Sequence, residues 1–161
     1  MSKQFYWRTG RSCIFKNFIY LVFVPKYRQN VFTKSMLKRL NEIFLTCKQM
    51  DVELLEFAGD NDHVHLMVCC PPKLAISNLV SKLKGKSSYV LRREFWQQIK
   101  NKLWKNHFWS PSYCMVSCGG APLEIVKKYI NNQKIPCNQK QIDQSKKFAG
   151  RKRDKNKNWL A

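Results

Sequence analysis

Acidic side chains are scarce: ten Asp and Glu stand against thirty Lys and Arg, for a formal net charge of +20 over 161 residues. That imbalance excludes most ordinary enzymes of small metabolites. It calls for a partner of dense negative charge, with nucleic acid first and an anionic membrane surface second. A membrane-spanning stretch is also missing, since the apolar run Phe18–Val24 falls far short of the ~20 residues that cross a bilayer. The cysteines Cys13, Cys47, Cys69, Cys70, Cys114, Cys118 and Cys137 are odd in number and include no CxxC pair, and no secretory leader is evident. The expectation is reduced thiols in a cytoplasmic setting rather than a disulfide framework. A zinc–thiolate site would have to recruit Cys69 or Cys70 beside the nearby histidines, or pair Cys114 with Cys118, and neither spacing is that of a structural zinc knuckle. Internal repeats and Gly/Ser linkers are absent, so residues 1–135 read as one domain. What is present, 44% hydrophobic and 13% aromatic residues, suffices for a packed core in a chain of this length.

Periodicity places the elements. Phe18–Val24 is rich in aromatic and β-branched residues and predicts a strand ending at Pro25. Thr33 can cap a helix whose apolar residues Met36, Leu37, Leu40, Phe44 and Leu45 recur at helical spacing. Val52–Ala58 and His63–Cys70 predict a hairpin turning at Gly59-Asp60-Asn61-Asp62 and stopped by Pro71-Pro72. Ala75 to Arg93 is helical, with a break or kink expected at Gly85 and a further helical stretch over Phe95–Leu103. Tyr113–Ser117 predicts a fourth strand, and Pro122 opens a helix from about Leu123 to Gln133. The order strand, helix, strand, strand, helix, strand, helix is that of an α+β, ferredoxin-like fold with a single antiparallel sheet and helices packed on it. Past Pro136 the chain turns polar and strongly basic (Lys146, Lys147, Arg151, Lys152, Arg153), and residues 136–161 read as a mobile basic tail.

His63-Val64-His65 is the most informative triplet. On a strand, residues two apart share a face, so both imidazoles can converge on one metal while Val64 faces the core with Leu66 and Val68. The same spacing also suits two polar residues on an exposed face. On the last predicted helix Tyr129 and Gln133 are four apart and share a face, as a core or rim tyrosine would. A tyrosine hydroxyl is a poor nucleophile at its ordinary pKa near ~10. It becomes a useful one beside a Lewis acid that polarises the group under attack, and the amide oxygen of Gln133 could complete a metal shell begun by the histidines.

GDNDHVHL (Gly59–Leu66) resembles the histidine-hydrophobe-histidine, or HUH, motif of single-tyrosine transposases. FVPKYRQNVF (Phe23–Phe32), PPKLAISNLVSKLKGKSSYVLR (Pro71–Arg92), FWSPSY (Phe108–Tyr113) and KKYINNQ (Lys127–Gln133) resemble the remaining blocks of the same family in the same order. The family is that of insertion-sequence 200-like transposases, and the resemblance covers roughly residues 14–135. It implies that His63, His65 and Gln133 bind Mg²⁺ or Mn²⁺ and that Tyr129, on the C-terminal helix, is the nucleophile. It implies action on single-stranded DNA with hairpins near the ends of a mobile element, through a 5′-phosphotyrosine link and a free 3′-hydroxyl. It also implies a homodimer in which the tyrosine helix of one subunit completes the HUH site of the other. Gly119-Gly120 would let that helix swing or cross over, or would simply turn the chain. The sequence departs from the family at Tyr20, where members often carry His.

The DNA surface is read from basic residues interleaved with neutral donors and aromatics, a pattern suited to single strands. Lys82, Lys84, Lys86, Ser87, Ser88 and Arg92 cluster around Gly85. Lys26 and Arg28 flank Tyr27 after the first strand, and Phe108, Trp109 and Tyr113 offer stacking faces. Three other readings compete: a domesticated relative acting on dispersed palindromic repeats, a nonenzymatic nucleic-acid-binding module, and a zinc hydrolase using Asp60 or Asp62 as base. A mere binder has no need of His63, His65, Tyr129 and Gln133 together.

Overall fold

The computed structural model describes residues 6–103 and 105–119, all within a unit that ends at Pro122. Tyr129, Gln133 and the basic tail lie outside the described residues. The chain opens with a two-stranded antiparallel ribbon, β1 (Arg8–Thr9) and β2 (Ile14–Phe15), which the sequence pattern did not announce. Arg8 fastens it to the sheet: its guanidinium donates to the Asp51 carbonyl at 3.0 Å and the Cys69 carbonyl at 3.3 Å, and lies over the Phe15 ring.

The main sheet holds β3 (Phe18–Phe23), β4 (Glu53–Gly59), β5 (Val64–Cys69) and β6 (Cys114–Ser117) in the order β4-β5-β3-β6, every neighbouring pair antiparallel. Two helices, α1 (Lys34–Leu45) and α2 (Ile76–Ile99), complete the α+β unit. The first, third and fourth of these strands lie side by side as the split strand-helix-strand plan requires, with β5 and β3 in the interior. Thr33 caps α1 as expected, its hydroxyl accepting from the Met36 amide. Met36, Leu40, Ile43 and Phe44 from α1 and Leu79, Val80, Leu83 and Leu91 from α2 pack on Leu21, Phe23, Val64, Leu66 and Val68 to form the core.

The expected break at Gly85 does not occur, whereas the further helical stretch expected from Phe95 does: it joins the preceding one across a kink, and α2 ends at Ile99 rather than Leu103. Gly85 is exposed and a Cβ there would meet nothing within 4 Å, so packing on the opposite side carries the helix through. The irregularity sits instead at Phe95 (φ −119°, ψ 21°). Gly85→Ala is therefore expected to stabilise the fold by about 1 kcal/mol, the ordinary helical difference between the two residues. A thermal midpoint raised by roughly 4 °C would register it; no rise would mean that the helix is broken there in solution.

Gly59 has the opposite surroundings. A Cβ would stand 2.7 Å from Leu37 Cδ2 and 2.9 Å from Val64 Cγ1, so only glycine lets α1 press against the end of the β4–β5 hairpin. That contact fixes the turn from which the histidines emerge.

Candidate active site

The turn between β4 and β5 is tied at both ends. The Asp60 amide donates to the His63 carbonyl at 2.9 Å, and the Asn61 carbonyl accepts from the amides of Val31 at 3.0 Å and Phe32 at 3.1 Å. His63 leaves this turn just ahead of β5, and His65 lies on β5 between Val22 of β3 and Ala58 of β4. Val64 and Leu66 point into the core, so the two histidines share the other face, half-buried, with ring centres 6.1 Å apart. The strand alternation anticipated from the sequence is therefore what sets the pair.

Asp62 organises the first histidine. Its Oδ1 lies 2.7 Å from His63 Nδ1, and its Oδ2 accepts from Arg28 Nε at 2.7 Å. Burial alone would raise the Asp62 pKa, but the hydrogen bonds from His63 and Arg28 outweigh it and hold the carboxylate below its usual range. A carboxylate on Nδ1 fixes the ring and leaves Nε2 for a metal, the outer-shell arrangement that metal-binding histidines ordinarily have. The donor set therefore fits a divalent cation as far as it is described: two imidazoles on one face, one held by a carboxylate. No group of three or more His, Cys, Asp or Glu that could hold a metal is found among the described residues, so the third ligand expected at Gln133 lies outside them. The same finding leaves the zinc alternatives without a cluster among the described residues, and there Asp62 orients His63 and pairs with Arg28.

Two features here were not foreseen in these roles. Arg28, expected at the DNA, pairs with Asp62, and Asp62, the alternative hydrolytic base, holds His63. Asp62 immediately precedes the first histidine, and that adjacency is the signal that could have identified it. Reaching Asp62 requires an unusual backbone, because Tyr27 (φ 59°, ψ 21°) and Arg28 (φ 52°) are consecutive left-handed residues. Tyr20, the departure from the family pattern, packs against His65 with ring centres 5.7 Å apart and an interplanar angle of 34°. Burial, then the nearby Cys114, Glu56 and Cys118, push its hydroxyl pKa well above the ordinary tyrosine value, so Tyr20 remains a neutral neighbour of the histidine pair.

The basic cluster around Gly85 divides in two. Lys82 and Lys86 are exposed, whereas Lys84 is turned in: its Nζ donates to the carbonyls of Ser110 at 2.8 Å and Ser112 at 2.7 Å. Arg92 Nε donates to the Ser88 carbonyl at 3.2 Å, and its Nη1 to the Asn106 carbonyl at 3.0 Å. Ser87 is fully buried; its hydroxyl donates to the Leu83 carbonyl and accepts from Trp109 Nε1 at 2.9 Å, so it braces the core instead of facing DNA. Phe108 and Trp109 are likewise core residues and not stacking faces, while Tyr113 stays exposed beside Lys84. Lys26 lies over the Tyr27 ring, 5.3 Å from its centre.

Burial pushes the Lys84 pKa down to about 8. The unfolded chain keeps this proton to about pH 10.4. Between those values the unfolded state binds more protons, so the contribution of Lys84 to stability is largest above the unfolded pKa and falls away as pH drops through 8. The stability difference between the native chain and Lys84→Gln should therefore grow from pH 8 to pH 10 in denaturant titrations. A difference flat across that range would mean that Lys84 titrates as an exposed lysine.

Residues 13–133 match the family described as Transposase IS200 like. The ISDra2 transposase TnpA of Deinococcus radiodurans is 32% identical over 129 residues, covering 78% of this chain and 90% of that protein. The transposase for insertion sequence element IS200 of Salmonella typhimurium is 32% identical over 115 residues, covering 71% of this chain and 74% of that one. The crystal structure of a transposase from Deinococcus radiodurans superposes with a TM-score of 0.63 at 28% identity, over 78% of this chain and 97% of the other. A REP-associated tyrosine transposase bound to a REP hairpin superposes with a TM-score of 0.51 at 12% identity, over 82% of this chain and 67% of the other, a likeness of fold alone.

Proposed function

Because this chain belongs to the IS200-like transposase family, we propose that it binds single-stranded hairpins at the ends of a mobile element and cuts and rejoins the DNA through a phosphotyrosine. The observation that carries this reading is the His63–His65 pair on one face at the start of β5, with Asp62 holding His63. A single-stranded nucleic-acid binder without chemistry has no use for a carboxylate-oriented imidazole pair. The C-terminal helix bearing Tyr129 is part of the proposal.

Mg²⁺ or Mn²⁺, held by His63, His65 and Gln133, would supply Lewis-acid polarisation of the scissile phosphate. The chain's own groups do the rest. Arg28 keeps Asp62 ionised, and Asp62 keeps the His63 ring in one orientation. The Tyr129 oxygen forms a bond to phosphorus as the bond to the 3′-oxygen breaks. The phenolic proton passes to that oxygen, leaving a 5′-phosphotyrosine and a free 3′-hydroxyl. In the return step a 3′-hydroxyl attacks the same phosphorus and the tyrosine leaves with its proton restored. One diester replaces another throughout, so rejoining needs no nucleotide triphosphate. Two subunits share each site in this proposal. Gly119, at φ 38°, already occupies the left-handed region from which a chain can turn away after β6.

The test is to incubate the protein with single-stranded and duplex DNA libraries plus Mg²⁺ and sequence whatever DNA becomes covalently attached. Adducts should be confined to single strands bearing hairpins and should vanish with chelator. Adduct formation on duplex alone, or none on any DNA, would overturn the assignment. Binding should also weaken steeply with salt, by a slope of about −0.7 in log K against log salt for each phosphate met.

A further inference from the structure

The outer face of α2 carries a pattern that the HUH site does not use. At ~100° per residue, Lys82, Lys86, Tyr89 and Arg93 fall within about 40° of one line along the segment before the kink at Phe95, and Trp96 and Lys100 follow beyond it. All six are exposed, Tyr89 at 60% and Trp96 at 41%, and none belongs to the buried side of α2 made by Leu79, Val80, Leu83, Ser87 and Leu91. The irregularity at Phe95 interrupts the ideal geometry, yet Trp96 and Lys100 beyond it remain exposed, and the Lys100 amide still donates to the Trp96 carbonyl at 2.9 Å.

The charge of this face is positive and little relieved: Arg93 alone among its cations acts on an acidic group, Glu94. Glu94 is the only acidic residue in α2, and it is turned toward α1, where Arg39 grips both of its oxygens at 2.8 Å. The other ion pairs among the described residues use Arg8, Arg28, Arg39 and His63, not the cations of this line. Lys84 and Arg92, the two cations of α2 turned toward loop carbonyls, are off it. What remains outside is a run of cations that carries two large rings, Tyr89 before the kink and Trp96 after it.

Two isolated rings separated by cations do not make the contiguous apolar surface that a protein partner would cover. They do match a single strand, whose bases stack on rings while its phosphates meet the cations between them. We propose that the outer face of α2 is a second track for single-stranded DNA, separate from the HUH site, which holds the strand flanking the hairpin. The inference rests on reading the protein as an enzyme of single-stranded DNA.

The test is fluorescence anisotropy with labelled oligothymidylate, which forms no hairpin, in a salt titration. Tyr89→Ala/Trp96→Ala should weaken binding at least about tenfold without changing the salt slope. Tyr89→Phe/Trp96→Phe, which keeps the rings, should bind like the native chain. Lys82→Gln/Lys86→Gln/Arg93→Gln should lower the slope by about 2, three phosphates at ~0.7 each. All positions are exposed, so unchanged circular dichroism is expected throughout. Native-like binding by either the alanine pair or the glutamine triple would overturn the track, as would a native chain that does not bind oligothymidylate. A chain that binds through α2 but never forms an adduct with hairpin DNA would overturn the transposase chemistry and leave the track standing.

Discussion

Replacing Tyr129 with Phe is expected to reduce covalent attachment of DNA to background while leaving DNA affinity within a few-fold of the native value. The two readouts separate because they depend on different physics. Attachment needs one oxygen nucleophile, and phenylalanine has none. Affinity comes from many cations meeting many phosphates, to which one neutral hydroxyl adds little. Denaturing gels of labelled hairpin DNA measure the first, and anisotropy measures the second. Adduct formation by the Phe variant would remove Tyr129 from the reaction, and a collapse of affinity would mean that the residue works chiefly in binding.

The second large effect concerns assembly. His63→Ala/His65→Ala should be as inactive as Tyr129→Phe, because the half-buried pair faces away from the core and its loss leaves the packing of Val64 and Leu66 intact. Mixed together, the two inactive proteins should regain adduct formation if tyrosine and histidines come from different subunits. A mixed dimer then contains one site built wholly from native halves. If each chain supplies both, every site keeps one lesion and the mixture stays dead. Subunit exchange is checked with two affinity tags. Exchange without recovered activity would place the whole site within one chain, leaving the histidine and tyrosine chemistry as proposed. Because +20 per chain opposes association at low salt while DNA binding weakens with salt, subunits should be exchanged at moderate ionic strength and the adduct assayed after lowering it.

Strand alternation makes the histidine pair legible in the sequence itself. Val64, Leu66 and Val68 could be assigned to the core from period alone, which forced His63 and His65 onto the other face, and Thr33 announced the start of α1. Gly85 misled because helix propensity is a local quantity, whereas the Leu79, Leu83 and Leu91 stripe that carries α2 through is a tertiary one. Among the basic residues, composition could say that cations cluster but not which way each points. Lys84 and Arg92 are drawn inward by loop carbonyls more than ten residues away in the chain, and Ser87 by Trp109, partners that no local pattern specifies. The N-terminal ribbon escaped notice because two-residue strands have too few positions to display a period.

The left-handed pair at Tyr27 and Arg28 has a consequence for lineages of this gene. Each such residue costs about 1–2 kcal/mol relative to an ordinary backbone, and the second is spent on bringing Arg28 to Asp62. Glycine or asparagine at 28 would relieve its share of that cost but would release Asp62, so this gain in backbone stability is closed to any copy that depends on the Arg28–Asp62 pair. Descendants that no longer move should therefore drift toward Gly or Asn at 28 before they lose the histidines. In a collection of related copies, Arg28 would mark those still under selection to transpose, and its loss would date the onset of retirement.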